Sequence, residues 1–515
     1  MILMMLVMVL AGGMNGQVIH PLGTADARTT DHYMGTMMPQ VYNSSMYFFW
    51  KNGTTTTFYR ATGSSLAAVR TYAGESSLLT VCNGLMYFRG DDGPENSEPW
   101  RSDGSVSGTY MLGNLNTGGR KTNAESSNPS GFSEFGNKVL FSIGYFPVKG
   151  AKIDLTKTVK QMYITDGTVA GTSKVVDFKG DQYYDLGNGI ALFYASTDSE
   201  GNELWCTDGK RKGTALIMDI YPGANSSIAN PDRALFAPEV NALFDTRHPV
   251  VIGGKMYFRA NDGSHGDELW VSDGTTAGTK LLADINPEGP SYPSFLTVLD
   301  GILYFTADDG TNGFELWSHN PVSNTTTMAA NINATSGSVP CWLTPMNGRL
   351  YFSANDGIDD RELWVFDPAS TLSHRVFDIN PDGSSFPGYR SYYGDPDKYD
   401  NDRGRIAFTV FNDELYFAAA KDGSTFTLWK SDGATASEIL CPGYAGLLSP
   451  RRLTALPEAG GPGYLYFVAY DGGTTGNEWY IYDPDVTSSP KHEMSSVSPD
   501  LVVLENYPNP ANPST

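Results

Sequence analysis

The chain has 515 residues, with 35 Lys and Arg against 57 Asp and Glu, so its net charge is −22 and its pI is near 4.6. This balance argues against binding to nucleic-acid phosphates or anionic lipid, which requires clustered Lys and Arg. Aromatic residues make up 12% of the chain, which also holds 56 glycines and 30 prolines, and this combination favours many short strands and tight turns over helices.

The N-terminus begins with an apolar run, ILMMLVMVL (residues 2–10), followed by Ala11, Gly12 and Gly13. The run is too short for a bilayer, which needs about 20 residues, and it has the length of a signal-peptide core with small residues at the cleavage site. We predict a signal peptide over residues 1–16 and export of the remainder. No Lys or Arg precedes Arg28, so an N-terminal strand is the alternative. No other run is long enough to predict a transmembrane segment.

One unit recurs along almost the whole chain. Its clearest copies are MYFRANDGSHGDELWVSDGTTAGTKLLADINPEGP (256–290), LYFTADDGTNGFELWS (303–318) and LYFSANDGIDDRELWVFDP (350–368), and weaker copies begin near Met46, Met86, Val139, Leu192, Leu415 and Leu465. LYFTA predicts a strand, DDG a tight turn and FELW the returning strand. SDGT predicts a second turn, KLLADI a further strand, and FLTVL (295–299) a strand before the hairpin.

Four antiparallel strands in about 50 residues are typical of a β-propeller blade. Leu269, Trp270 and Val271 are apolar in succession, which indicates a strand buried on both faces, as in stacked blades. We predict an all-β single propeller over residues 17–487, with a β-sandwich and a linear array of modules as alternatives. Nine copies are visible, and we expect eight blades with the two chain ends sharing one; nine is the alternative.

The repeated Trp and Glu residues are predicted to serve the scaffold. We expect the tryptophans in equivalent buried positions between blades: Trp205, Trp270, Trp317, Trp364 and Trp429. A Glu that is repeated in most blades is expected to accept hydrogen bonds between blades rather than to catalyse a reaction: Glu203, Glu268, Glu315 and Glu362, with Glu98 and Glu478 in the diverged copies. The cysteines are predicted to be small core residues: Cys82, Cys206, Cys341 and Cys441.

Motifs of known chemistry are missing from the sequence. The seven His residues are scattered, and there is no HExxH, GxSxG, P-loop or strand-linked GxGxxG. This pattern predicts no catalytic residue and no certain cofactor, and it favours a binding protein over an enzyme. The acidic hairpin turns allow either Ca²⁺ binding or plain turn chemistry.

Two insertions break the repeat, at residues 230–251 and 388–405. Loops that break a repeat are common sites of function. The second insertion holds a group of carboxylates for which we predict a weak Ca²⁺ site: Asp395, Asp397, Asp400 and Asp402. Its aromatic residues are predicted to contact a ligand: Tyr392, Tyr393 and Tyr399. A solvated insertion without a role is the alternative.

Two segments resemble known families. ELWVSDGT (268–275) is similar to the ELWxxDGT repeat of exported bacterial proteins, a family without assigned chemistry. NYPNPANPST (506–515) resembles the opening of the C-terminal sorting domain of type IX secretion cargo, with Ala511 at a position where Phe is usual. Related Ig-like domains share this opening. Residues 488–515 are thus expected to be a linker and a truncated sorting domain, with a Pro-rich tail as the alternative.

Together these features predict a secreted or cell-surface binding or adhesion propeller. Its expected partners are the secretion machinery, through the C-terminus, and an extracellular glycan or protein; no nucleic acid is expected. A secreted propeller hydrolase acting on glycan or peptide, and a structural surface-layer component, are the alternatives.

Overall fold

The structure is a computed structural model that describes residues 18–21, 39–52, 55–63, 65–74, 76–93, 97–116, 126–145, 148–149, 152–153, 158–178, 180, 182–197, 199–228, 248–358, 360–388, 408–439, 448–458, 461–470 and 477–484. These residues form strands and turns, with a single 3₁₀ turn at Arg211–Gly213. Within these ranges, no helix is long and apolar enough to cross a membrane.

Nine four-stranded antiparallel sheets follow one another along the chain, and the strands of eight of them lie in chain order. Blades 1 to 3 comprise Gln40–Tyr42, Ser45–Asn52, Thr55–Thr62 and Ser65–Tyr72; Ser77–Cys82, Leu85–Asp91, Ser97–Ser102 and Tyr110–Met111; and Ser130–Phe135, Lys138–Tyr145, Val159–Thr165 and Ser173–Val176. A short hairpin, Val148–Lys149 with Lys152–Ile153, lies between the second and third strands of blade 3.

Blades 4 to 6 comprise Tyr183–Asp185, Ala191–Thr197, Gly201–Thr207 and Ala215–Met218; Val250–Ile252, Lys255–Asn261, Asp267–Ser272 and Lys280–Ala283; and Ser294–Leu299, Ile302–Asp308, Phe314–Asn320 and Thr325–Ala330. Blades 7 to 9 comprise Cys341–Met346, Arg349–Asn355, Arg361–Asp367 and Leu372–Phe377; Phe408–Phe411, Glu414–Ala420, Phe426–Ser431 and Ala436–Glu438; and Leu448–Glu458, Gly461–Tyr470, Asn477–Asp483 and Val18–Pro21.

The ring closes between blades 9 and 1. The first strand of blade 1 contacts the first strands of both blade 2 and blade 9. The Tyr466 hydroxyl of blade 9 donates a hydrogen bond to the Gly63 carbonyl of blade 1 at 2.8 Å. The fourth strand of blade 9 is the N-terminal Val18–Pro21, which pairs antiparallel with Asn477–Asp483. The predicted β-propeller, with both chain ends in one blade, is confirmed.

The expected count of eight blades is wrong, and the alternative of nine is correct. The first repeat copy has no ELW or SDG motif, yet it forms a complete blade because other aromatic residues fill the same positions. Tyr59 lies opposite Phe48, where Trp270 lies opposite Phe258 in blade 5. In blade 9, Tyr480 lies opposite Phe467 in the same way.

The connections define two faces of the ring. In an antiparallel meander, successive connections lie at alternate ends of the strands. We call the end with the 1–2 and 3–4 connections the turn face; in blade 5 these are residues 253–254 and 273–279. The 2–3 hairpins and the links between blades form the insertion face. Val18 begins and Asp483 ends its strand at the turn face.

The core lies between successive blades. Each repeat Trp faces a Phe of the second strand, in the equivalent position that the repeat predicts. Trp270, Trp364 and Trp429 are buried, whereas Trp205 and Trp317 are partly exposed. Of the cysteines, Cys82 and Cys341 are buried and Cys206 is partly buried, and all three are free thiols; Cys441 lies outside the described residues.

The SDGT turn is built by its own side chains. In blade 5, the Asp273 carboxylate accepts hydrogen bonds from the Thr275 N–H (2.9 Å) and hydroxyl (2.7 Å). The Thr275 hydroxyl oxygen in turn accepts a hydrogen bond from the Gly278 N–H (3.0 Å). These bonds explain why Asp and Thr recur here: they satisfy the backbone of the turn.

Gly278→Ala should lower the free energy of unfolding by about 2 kcal/mol, because the hydrogen bonds of the Asp273 carboxylate within the turn must break to admit the methyl group. A Cβ at this position would lie 2.0 Å from Asp273 Oδ1. Gly289→Ala is the matched control, since its Cβ would meet no atom closer than Asn286 Nδ2 at 3.7 Å. Chemical denaturation measures both, and equal losses would contradict this account of the turn.

Candidate functional site

The repeated Glu of each ELW motif holds two blades together. Glu268 is completely buried. Its Oε2 accepts hydrogen bonds from the Ile285 N–H (3.0 Å) and the Ser291 hydroxyl, and its Oε1 accepts the Ser291 N–H (2.9 Å). The Ser291 carbonyl then accepts the Asp308 N–H of blade 6 at 2.9 Å. We call this arrangement, from the Glu of one blade through a Ser to the next blade, the clasp.

The same clasp recurs at four other blade junctions. Its Glu–Ser pairs are Glu98–Ser127, Glu203–Ser227, Glu315–Ser338 and Glu362–Ser385. In blade 8, Thr427 replaces the Glu and accepts a hydrogen bond from the Trp429 indole N–H at 3.1 Å. The prediction that these carboxylates accept hydrogen bonds between blades is confirmed for the five described copies.

Burial dominates the ionisation of the clasp carboxyls. It raises the pKa of Glu268 and Glu362 to about 7, against an ordinary value of 4.5, although the Ser and backbone donors oppose the shift. Burial also raises the pKa of Glu203 and Glu315. Carboxyls with a strongly shifted pKa often mark active sites. Here, however, each of these carboxyls accepts hydrogen bonds from backbone and serine donors of the scaffold.

The free energy of unfolding should fall by at least about 1 kcal/mol between pH 5 and 8. A carboxyl whose pKa is raised by folding stabilises the protein fully below the unfolded value of 4.5. That stabilisation is lost as the pH rises through about 7, where Glu268 and Glu362 ionise.

The measurement is urea denaturation across this range for the protein and for a Glu268→Gln, Glu362→Gln variant. The difference between the two curves isolates these carboxyls from His319, whose pKa is lowered by burial. Parallel curves would contradict the assignment.

The Asp carboxylates of the acidic hairpin turns accept hydrogen bonds from the backbone N–H groups of their own turns. Asp262 Oδ1 accepts the Ser264 and His265 N–H groups, at 2.8 and 2.9 Å. Asp309 and Asp422 accept equivalent pairs of N–H groups. The described ranges hold no group of three or more His, Cys, Asp or Glu that could hold a metal ion. These bonds favour turn chemistry over calcium for the repeated Asp residues.

The first strand of a blade borders the central channel, and in blades 2, 3, 6, 7 and 9 it contains a bulge. In blade 6, Ser294 pairs with Thr306 and Thr297 with Tyr304, so Phe295 and Leu296 form the bulge. The first bulge residue has a positive φ in five blades: Leu78, Gly131, Phe295, Trp342 and Arg452. Non-glycine residues rarely adopt this conformation, and strained positions of this kind cluster at functional sites.

The two long insertions occupy the stretch of sequence in which this bulge lies in other blades. In blade 8, the Gly388 N–H donates to the Ala418 carbonyl at 2.8 Å, and the chain returns at Phe408, which pairs with Phe417. Residues 389–407 therefore take the place of the first bulge residue, the equivalent of Phe295. In blade 5, the Asn261 N–H donates to the Ser227 carbonyl (2.9 Å), and Val250 pairs with Tyr257. Both insertions thus lead into a channel-side first strand from the insertion face.

The predicted ligand-binding side chains lie outside the described residues. This applies to the candidate Ca²⁺ ligands Asp395, Asp397, Asp400 and Asp402, and to Tyr392, Tyr393 and Tyr399. The signal-peptide segment 1–16 and the C-terminal segment 488–515 also lie outside them. Sequence analysis located the second insertion but not its junction with the inner strand. A recurring Ser-x-Pro was the available signal, as in Ser291-Tyr292-Pro293 and Ser385-Phe386-Pro387.

Comparison with known proteins adds structural neighbours of low similarity. No family model matches the chain, and no curated protein matches it. A Mycobacterium tuberculosis puromycin-hydrolyzing peptidase is 11% identical with a TM-score of 0.39, covering 87% of this chain and 60% of that one. Prolyl oligopeptidase B from Galerina marginata is 10% identical with a TM-score of 0.36, covering 77% and 55%.

An uncharacterised Listeria monocytogenes protein is 9% identical with a TM-score of 0.33, covering 66% of this chain and 93% of that one. The chain thus spans less than two thirds of the length of the two peptidases. Similarity at this level carries no argument about the activity of this chain.

Proposed function

We propose that the chain is an exported bacterial binding propeller of the ELWxxDGT type, displayed at the cell surface or released, with its ligand site on the insertion face. The ligand class is an extracellular glycan or protein. Export rests on the apolar segment at residues 2–10 and on the sorting-domain resemblance of NYPNPANPST.

The observation that carries the proposal is that the polar side chains of the repeat are hydrogen-bonded within the scaffold, whereas two insertions interrupt the repeat. The repeated carboxylates accept hydrogen bonds from nearby backbone N–H groups: Glu268 in the clasp, Asp273 in the SDGT turn and Asp262 in its hairpin. The segments that break the repeat instead lead into the channel-side first strands of blades 5 and 8, which begin at Val250 and Phe408. Function on a rigid scaffold is usually carried by such variable loops.

The arrangement of the chain ends is consistent with display. Val18 and Asp483 pair at the turn face, opposite the insertion face. A tether that continues from Asp483 would therefore leave the propeller without crossing the proposed ligand site.

Replacing residues 389–407 with one glycine tests the binding site. Gly131 holds the equivalent bulge position in blade 3, so the variant restores an inner strand that the fold already uses. We expect unchanged thermal unfolding and loss of binding on a glycan array and on immobilised extracellular proteins. In blade 5, replacing residues 229–247 with two residues restores the same spacing between Ser227 and Val250, and it shows whether one or both insertions are needed. Retention of all binding by both variants would contradict the proposal.

Calcium binding by the second insertion remains part of the proposal. Asp395, Asp397, Asp400 and Asp402 would share a weakly bound Ca²⁺ that orders Tyr392, Tyr393 and Tyr399 for ligand contact. Calorimetric titration with CaCl₂, beside an Asp397→Ala, Asp400→Ala variant, should show uptake by the parent protein only. Equal uptake by both proteins would exclude this loop.

Export has its own test. N-terminal sequencing of the native protein should begin near Gln17, and an intact Met1 on a cytoplasmic protein would contradict the proposal. Release of products from glycan or peptide substrates by the purified protein would support the hydrolase alternative instead.

A further inference from the structure

The turn face carries an apolar rim around the channel. Val41, Val251, Val298 and Val410 are 36–38% exposed. They occupy the same register in four blades, each directly opposite the residue that begins the repeat, as Val251 lies opposite Met256. An exposed apolar residue in a repeated position is not a random surface feature, because a water-facing rim would favour polar side chains.

Further apolar side chains extend this surface outward. Val106, Val169 and Val322 lie in 3–4 turns and are 67%, 59% and 97% exposed, and Leu372 follows such a turn and is 65% exposed. Eight of the ten exposed large hydrophobic side chains among the described residues are therefore on the turn face. Only Ile358 and Phe377 lie at the opposite end of their strands.

The charges of the turn face are complementary to one another. The turn of blade 4 exposes three cations, Lys210, Lys212 and Arg211, of which Arg211 pairs with Asp177, whereas the corresponding turns of blades 2 and 3 expose Asp103 and Asp166. Hydrogen bonds within their own turns hold the pKa of both Asp residues below the ordinary value, so they stay ionised. A lipid surface would gain nothing from this alternation of charge, but a second copy of the same face would.

We propose that the protein forms a two-fold dimer through its turn faces. A two-fold axis through blade 3 sets Val169 against its own copy and the cationic turn of blade 4 against the acidic turn of blade 2. It also sets blade 1 against blade 5, so that Val41 faces Val251 on the channel rim. Isologous pairing of a self-complementary patch is the commonest dimer symmetry. Both insertion faces then point outward, free to bind.

Sedimentation velocity on the full chain tests the dimer. At about 50 µM, within the range of ordinary protein–protein affinities, we expect a particle of twice the 55.9 kDa chain mass. Val169→Asp should weaken association at least about tenfold, because it places two carboxylates together on the axis. A Lys210→Glu, Lys212→Glu variant should also weaken it. Ile358→Asp, on the opposite face and 84% exposed, is the control that should still dimerise.

The proposal fails if the parent protein is monomeric at that concentration, or if Ile358→Asp disrupts association as much as Val169→Asp does. Flotation of a monomeric protein with phosphatidylcholine vesicles would assign the face to lipid instead and would also overturn the proposal. Thermal unfolding of each variant confirms that the exposed substitutions leave the fold intact. The readout is independent of the ligand site, so loss of binding by the insertion variants does not affect it.

Discussion

Glu268→Ala is expected to lower the free energy of unfolding by about 3–5 kcal/mol. The substitution leaves the buried Ile285 N–H without an acceptor, and it leaves the Ser291 N–H and hydroxyl with only the Asp267 carbonyl, at 3.1 and 3.5 Å. Each unsatisfied buried donor costs about 1–3 kcal/mol, offset in part because a buried carboxyl is also removed. The loss should appear as a lower midpoint in equilibrium urea denaturation.

Glu288→Ala is the matched control for Glu268→Ala. Glu288 is exposed on the same connection between blades 5 and 6, so its replacement should change the free energy by no more than about 0.5 kcal/mol. Glu268→Gln should lie between the two, since the amide keeps one acceptor oxygen. A loss below about 1 kcal/mol for Glu268→Ala would show that the clasp does not hold the blades together.

Trp270→Ala is expected to cost about 3–5 kcal/mol, the range for truncating a buried aromatic side chain. Trp270 packs with Phe258 of its own blade and with Leu204 and Ile217 of blade 4. Its removal opens a cavity between two four-stranded sheets. These sheets cannot easily move together to fill the cavity. Chemical denaturation followed by tyrosine and tryptophan fluorescence measures the change.

Trp270→Phe keeps an aromatic ring in the same place and should cost about half as much. Trp429→Phe should be relatively more costly, because it also deletes the indole hydrogen bond to Thr427. If Trp270→Ala is tolerated as well as a surface substitution, the tryptophans do not hold the blades together as the fold implies.

The propeller could be predicted from the sequence because its signals are local and repeated. Apolar runs such as LYFTA, the DDG turn and FELW each report one strand or turn, and burial of Leu269, Trp270 and Val271 follows from their succession. The blade count could not be predicted in the same way. Tyr59 and Tyr480 take the Trp position in blades 1 and 9, and a motif based on Trp does not reveal that equivalence.

The role of the clasp Glu was predictable from repetition, but its partners were not. Ser291 is separated from Glu268 by a strand and a connection, and only the fold brings the two side chains together. The junction of the second insertion is a similar case. Gly388 bonds to Ala418 as a residue of the inner strand would. A long insertion follows Gly388 directly, so the sequence around it predicts a loop.

Closure of the ring by the N-terminal strand is tested most directly by a disulfide between positions 18 and 483. Val18 and Asp483 are paired residues of neighbouring antiparallel strands. Such pairs have Cα atoms about 4.5–5.5 Å apart, within the range that a disulfide spans. We expect a Val18→Cys, Asp483→Cys variant to form an intramolecular disulfide, which proteolysis would reveal as two linked peptides. A Val18→Cys, Val169→Cys variant, with the second cysteine in blade 3, should form no such link within one chain. Absence of the 18–483 link, or equal linking in the control, would contradict a nine-bladed ring closed by residues 18–21.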